Sequence, residues 1–184
     1  MLRRVPVRRL GHVNGKIRFL ALISLVLSVG LLTNPAITSA SPKTITFSGH
    51  YTGTVSLLIN NGAVTISSIH GKGTGTLVGA SKVSGNGTAS ATAQCDPFGG
   101  TGTITGAGAK INLKVTKSTS TGCSNGESGP VTVTFNGVAK ATGGTGKTTG
   151  AKGNLKFKGT LKLGGTSGSQ QGTFTVSLTG KLSV

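Results

Sequence analysis

Apolar and polar residues alternate with a period of two along most of the chain beyond residue 42, most regularly near its C-terminal end. In residues 154–163, four apolar side chains share one parity: Leu155, Phe157, Leu161 and Leu163. Residues 172–184 repeat this alternation. Because successive side chains of a strand point to opposite faces, the pattern predicts strands with one buried and one solvated face. No 3.6-residue apolar pattern follows residue 32, so we expect almost no helix there.

A tight hairpin is predicted at Asn61-Gly62, the dipeptide most typical of a two-residue turn between strands. Such a turn places Asn60 opposite Ala63 and Leu57 opposite Ile66. The apolar side chains of the two strands then lie on the same face of the hairpin, so the register and the hydrophobic pattern agree.

Asn136-Gly137 offers a second hairpin signal, but folding the chain there would turn Lys140 inward. We therefore predict one continuous strand over residues 131–142. Glycines then occupy inward positions at Gly137, Gly159 and Gly180. An inward glycine within a strand allows a sharp bend, which a closed barrel requires.

The remaining segments are poorer in large apolar residues. Residues 72–78 and 83–93 are predicted to form strands of small residues, with disorder of residues 79–93 as the alternative. A turn is expected at residues 95–100 and a polar loop at residues 118–129. The predicted fold is an all-β antiparallel barrel of about eight strands, with a β-sandwich as the alternative.

The N-terminal region predicts export. Residues 1–18 are basic, residues 19–32 are almost wholly apolar, and small residues precede Ser41. This is the layout of a secretory signal peptide cleaved near Ala40, and the apolar run is short for a membrane span of about 20 residues. We expect a signal peptide at residues 1–40 and a secreted domain at residues 41–184 without a membrane span, in a bacterial host. Retention of the leader as an anchor is the alternative.

Charge narrows the choice of partners. The formal net charge is +17, and every arginine lies within the first 18 residues, which leaves thirteen lysines and two acids beyond residue 40. Lysine is a hydrated point charge, whereas arginine suits bidentate recognition of phosphates and bases. The Lys-rich exterior thus favours a non-enzymatic binding or surface protein that meets anionic envelope polymers or glycans, and it disfavours sequence-specific nucleic-acid binding.

Cys95 and Cys123 are the two cysteines, and in an exported protein such a pair predicts a disulfide. A catalytic thiol or a metal site lacks partners, because no histidine follows His70. We predict no metal site and no cofactor. Residues 141–148 fit a relaxed phosphate-loop pattern, but a strand rather than a helix is predicted to follow them.

The two acids, Asp96 and Glu127, lie beside the two cysteines, so a disulfide would bring them into one neighbourhood. They are the candidate catalytic residues, as an acid pair in a cleft. The alternative is a pair of solvated charges in loops.

Large aromatic residues suggest a further use of the barrel. Four of them are candidates to line an interior cavity: Tyr51, Phe135, Phe157 and Phe174. A carrier or an isomerase for a small apolar ligand is thus the first alternative function. Recurrent Thr-x-Thr pairs give a second alternative, a structural or water-ordering surface.

The C-terminal part of the chain resembles a known family. Residues Gly143-Gly-Thr-Gly-Lys-Thr-Thr-Gly-Ala-Lys-Gly153, followed by Gly172-Thr-Phe-Thr-Val-Ser-Leu-Thr-Gly180, resemble the dirigent and allene-oxide-cyclase-like barrels. The resemblance implies an eight-stranded antiparallel barrel, an apolar interior for a small ligand and the formation of a homo-oligomer. Asp96 and Glu127 lie outside the matching stretch, so the catalytic acids of that family have no counterpart here.

Overall fold

The computed structural model of the protein describes residues 41–126 and 128–184. The predicted signal peptide, residues 1–40, and the candidate acid Glu127 lie outside the described residues. The described part is all-β and contains eight strands: β1 (Thr44–Asn60), β2 (Ala63–Gly75), β3 (Gly79–Ser90), β4 (Cys95–Gly106), β5 (Ala109–Ser124), β6 (Val131–Gly146), β7 (Lys152–Leu163) and β8 (Gly168–Ser183). No helix occurs in it.

The strands form a closed antiparallel barrel whose spatial order follows the chain order. Each strand pairs with the next, and β1 also pairs with β8, which closes the sheet. At the seam the two ends of the described chain meet, since the backbone groups of Lys43 and Val184 exchange two hydrogen bonds of 2.9 Å. The predicted barrel is confirmed, and the β-sandwich alternative is wrong.

The hairpin at Asn61-Gly62 has the predicted register. Asn61 and Gly62 both have positive φ values, 48° and 75°. Such a backbone matches the twist of the flanking strands. Asn60 pairs with Ala63, and Leu57 pairs with Ile66.

Residues 131–142 lie within one continuous strand, β6, as predicted, and Lys140 is exposed. Phe135 pairs with Gly159 on β7, while Phe157 pairs with Gly137 on β6. A Cβ atom added at Gly137 would lie 2.8 Å from Cζ of Phe157, and one at Gly159 would lie 2.6 Å from Cζ of Phe135. Each ring therefore occupies the space that the opposite glycine leaves empty.

Several predicted boundaries are wrong where glycine, serine and threonine hide the alternation. The turn expected at residues 95–100 is the start of β4, and the polar loop at residues 118–129 is largely the end of β5. Strand β1 runs as one element from Thr44 to Asn60. Residues 79–90 form strand β3 rather than a disordered segment. The strand predicted at residues 72–78 is not separate, because residues 72–75 are the end of β2 and residues 76–78 lie in the turn that follows.

One end of the barrel, called the base here, is packed solid. The turns that follow β2, β4 and β6 lie at this end. Its largest fully buried apolar side chains are Phe47, Tyr51, Val78, Ile104, Ile111, Leu155 and Leu182. In the turn after β6, the buried Thr148 donates to the carbonyl oxygens of Lys110 at 2.7 Å and Thr145 at 2.9 Å. These contacts close the base.

Candidate functional site

The opposite end of the barrel, called the mouth here, leads into a cavity of about 340 Å³. The turns after β1, β3, β5 and β7 lie at this end, and Ala91, Gln94 and Gly165 border the cavity there. The side chains that face the cavity are almost all apolar. Strands β1 and β2 contribute an aliphatic wall: Val55, Leu57, Ile59, Val64, Ile66 and Ile69.

Strands β3 and β4 leave room for the cavity because glycines stand at their inward positions. Gly85 pairs with Gly102, and Gly87 pairs with Gly100. A Cβ atom added at Gly85 would lie 2.5 Å from the carbonyl oxygen of Thr101, so the close approach of the two backbones requires glycine there. This wall of the barrel thus presents backbone where the other walls present side chains.

Three phenylalanines form an aromatic cluster on the far wall. Their ring centroids lie 6.2 Å apart for Phe98–Phe135, 5.9 Å for Phe98–Phe157 and 6.2 Å for Phe135–Phe157. Such edge-to-face and tilted arrangements are favourable for aromatic rings. Phe98 was not among the predicted lining residues, because the sequence placed it in a turn. Phe98 lies on β4, three residues after Cys95 and opposite Ala89 on β3, and its side chain borders the cavity.

Of the four lining candidates, Phe135, Phe157 and Phe174 lie on the cavity wall. Tyr51 lies lower, in the packed core of the base. Its hydroxyl is 3.1 Å from Oγ of Ser81, which also donates to the carbonyl oxygen of Gly79. Burial raises the pKa of Tyr51, and the hydrogen bond to Ser81 partly opposes this effect. Tyr51 is therefore a neutral core residue.

Asp96 lies at the mouth and organises the turn between β3 and β4. Its carboxylate accepts hydrogen bonds from the backbone N–H groups of Ala93 and Thr92, both at 2.8 Å, and from Oγ1 of Thr92 at 3.1 Å. The hydrogen bond from Ala93 contributes most to lowering the pKa of Asp96, and the two from Thr92 add to it. With Glu127 outside the described residues, the candidate acid pair stays a prediction, and the geometry gives Asp96 a role in the turn.

The predicted disulfide between Cys95 and Cys123 is present. The two cysteines stand directly opposite each other on β4 and β5, at the rim of the mouth. Below them the pairing of β4 with β5 is irregular between Pro97 and Gly100. The bond therefore fixes a part of the rim where the backbone ladder is interrupted.

The remaining motifs do not assemble a catalytic or metal site within residues 41–126 and 128–184. His50 and His70 are exposed on the outer wall, and no group of three potential metal ligands occurs in this part of the chain. Residues 141–148 run from β6 into a turn and then into β7, so the helix that a phosphate loop needs does not follow. No helix in the described part is long and apolar enough to cross a membrane.

The Thr-x-Thr pairs lie on the outer wall. Thr134, Thr160, Thr175 and Thr52 stand in register across β6, β7, β8 and β1. Because these strands belong to a closed barrel, the row follows a curved surface rather than the flat array that a water-ordering surface requires.

Comparisons with protein-family models, with curated proteins and with solved structures found no match to this chain. The resemblance to the dirigent and allene-oxide-cyclase-like barrels, and the homo-oligomer that it implies, thus stay predictions. The fold that it implied is the fold observed.

Proposed function

We propose that the protein binds a small, largely apolar molecule in the cavity at the mouth of the barrel. One observation carries the proposal: the barrel is packed at its base yet hollow at its mouth, and the hollow is lined by apolar side chains. Binding sites for small molecules are typically concave, mostly apolar and of about 300–1,000 Å³. The aromatic cluster and the aliphatic wall of β1 and β2 face each other across this space.

The proposed activity is binding rather than chemistry. Catalysis would require a nucleophile or a positioned acid–base pair at the cavity. Asp96 is the one carboxylate that borders the cavity among the described residues, and its oxygens already accept three hydrogen bonds. The ligand would instead gain affinity from transfer of its apolar surface out of water, at about 25 cal/mol per Å².

The proposed setting is extracellular. The disulfide at the rim is consistent with an oxidising compartment. Export through the predicted signal peptide at residues 1–40 is part of this proposal.

The test compares a substitution that fills the cavity with a matched substitution on the outer face of the same strand. Val133 faces the cavity from β6, while Val138 takes the opposite parity on the same strand. Val133→Phe adds a ring to the lumen, whereas Val138→Phe adds the same ring to the outer wall. We expect the affinity for the neutral dye N-phenyl-1-naphthylamine, measured by fluorescence titration, to fall about tenfold or more in V133F, or about 1.4 kcal/mol. It should stay near the wild-type value in V138F.

Thermal unfolding of both variants shows whether the barrel is intact. If V133F does not fold, Ala89→Leu fills the same cavity from β3 with a smaller change. A wild-type protein that binds neither the dye nor a series of fatty alcohols would overturn the proposal. Equal affinities in V133F, A89L and V138F would place the binding site elsewhere.

A further inference from the structure

Five lysines form a cluster on the outer wall of the barrel, called the basic patch here. Four of them surround Asn154 on β7: Lys140 is opposite it on β6, Lys181 is opposite it on β8, and Lys152 and Lys156 are two residues away on β7 itself. The fifth, Lys114, stands directly opposite Lys140. All five side chains are exposed.

The lysines are close enough to repel one another. Neighbouring strands lie about 4.8 Å apart and alternate residues about 7 Å apart, so the five Cα atoms fall within roughly 15 Å. Like charges directly opposite on adjacent strands destabilise a sheet. Among the described residues no acidic side chain offsets them, because the single one, Asp96, lies at the mouth and is engaged with the turn after β3.

A partner that supplies negative charge would relieve this repulsion. We propose that the basic patch binds a linear polysaccharide that carries carboxylates along its length. In the basic patch, Asn154 lies between the lysines, and Thr179 and Ser183 stand opposite Lys156 and Lys152. Lysines suit repeated point charges, and the amide and hydroxyl groups suit the hydroxyls of a sugar.

Two other polyanions fit this surface less well. Single-stranded nucleic acids stack their bases on exposed aromatic rings, whereas the phenylalanines of the described chain face the barrel interior. Attachment to an anionic membrane is strengthened by apolar side chains that enter the lipid. The exposed large apolar residue of the described part, Leu58, lies near the mouth end of β1 and away from the patch.

The patch lies on the wall behind the packed base. Leu155, which follows Asn154, is fully buried in the core of the base and pairs with Ala139 and Gly180. A polymer held at the patch leaves the mouth open. The proposal is therefore independent of ligand binding in the cavity.

The chain offers a matched pair of variants for the test. Replacing Lys114, Lys140 and Lys181 by Gln removes three charges from the patch, including the opposed pair on β5 and β6. Replacing Lys72, Lys82 and Lys117 by Gln also removes three exposed charges, including an opposed pair, since Lys72 pairs with Lys82 on β2 and β3. The two triple variants have the same net charge.

Binding to immobilised alginate, a carboxylated polysaccharide, would be measured by biolayer interferometry at several NaCl concentrations, with neutral dextran as the reference surface. We expect the affinity of K114Q/K140Q/K181Q to fall about tenfold or more, and that of K72Q/K82Q/K117Q to fall by no more than about threefold. Binding of the wild type should weaken steeply with salt. N-phenyl-1-naphthylamine binding should be unchanged in both variants.

Equal losses of alginate affinity in the two variants would show that binding depends on net charge alone, and would overturn the assignment of the binding site to the basic patch. Equal binding to dextran, or no dependence on salt, would overturn the electrostatic basis. Tighter binding to duplex DNA or to phosphatidylglycerol vesicles than to alginate, at equal concentrations of negative charge, would overturn the assignment to a polysaccharide.

Discussion

At the scale of single residues, Asp96 shows how the environment decides the role of a side chain. Its position next to Cys95 made it a candidate for acid–base chemistry. The structure instead directs backbone N–H groups of the preceding turn at its oxygens. A carboxylate held by such donors is stabilised in its charged form, which is the opposite of what a general acid needs near neutral pH.

Asp96 should make the stability of the barrel depend on pH at the acidic end. The folded-state pKa is lowered, so the stabilisation is fully present above the unfolded pKa, about 3.9, and is lost as the pH falls through the folded value. Asp96→Asn replaces one acceptor oxygen by a donor and does not titrate. We expect D96N to unfold at a lower temperature than the wild type at pH 7, and the gap to close as the pH falls below about 4.

Thermal midpoints of the two proteins from pH 7 to pH 2.5 provide the measurement. A gap that stays constant over this range would mean that the charge of Asp96 does not stabilise the turn.

At the scale of elements, β4 and β5 form an irregular ladder at the mouth of the barrel. Pairing is interrupted between Pro97 and Gly100 on β4, and β5 has an irregular stretch between Val115 and Ser120 in its pairing with β6. Ser120 spans part of this gap, since its hydroxyl contacts the carbonyl oxygens of Phe98 and Thr116. The disulfide lies just above, so it holds together two strands whose backbone ladder is weakened.

Reduction of the disulfide should therefore destabilise the mouth of the barrel before the base. The cysteines are 28 residues apart in sequence. On the chain-entropy account such a link stabilises by about 3–4 kcal/mol. We expect the thermal midpoint to fall by about 5–10 °C in reductant. Hydrogen exchange should quicken first at the amides of Cys95, Asp96 and Phe98 and of residues 121–124.

The variant Cys95→Ser/Cys123→Ser is the control, because reductant should not alter it further. An unchanged midpoint of the wild type in reductant, or faster exchange at the base than at the mouth, would contradict this expectation.

The sequence predicts strands well where large apolar residues mark the parity. The hairpin register follows from the Asn61-Gly62 turn together with the apolar parity on both sides of it, and the continuous strand β6 follows from its apolar parity. In β3, β4 and the end of β5, glycine, serine and threonine occupy both faces, so the alternation carries little contrast and the boundaries were misplaced. The cavity is harder still to predict, because its volume depends on which glycines meet across two strands, as Gly85 and Gly102 do.

At the largest scale, the described residues form a barrel with a packed base, a hollow mouth and a basic outer wall. The described residues carry thirteen lysines and a single acid, Asp96. Mutual repulsion among the lysines opposes the compact state. The hydrophobic core and the closed backbone ladder must therefore hold the barrel against its own charge.

Salt should stabilise this barrel rather than weaken it. Raising NaCl from about 0.02 M to about 0.3 M shortens the Debye length from roughly 20 Å to roughly 6 Å. We expect the thermal midpoint of the wild type to rise by a few degrees over this range, and that of K114Q/K140Q/K181Q to rise less. A protein stabilised by surface ion pairs would respond in the opposite direction, so a fall in the midpoint would contradict the expectation.

The seam between β1 and β8 has a consequence for how the chain folds. Seven of the eight ladders are hairpins between consecutive strands, which can form locally, but the seam joins the two ends of the described chain. Such a contact must wait until a long loop has closed, and folding slows as the share of distant contacts grows. Until then the sheet has two long free edges, at which other chains can add. The β1–β8 ladder, which is the last to form, thus removes the free edges at which other chains could add to the sheet.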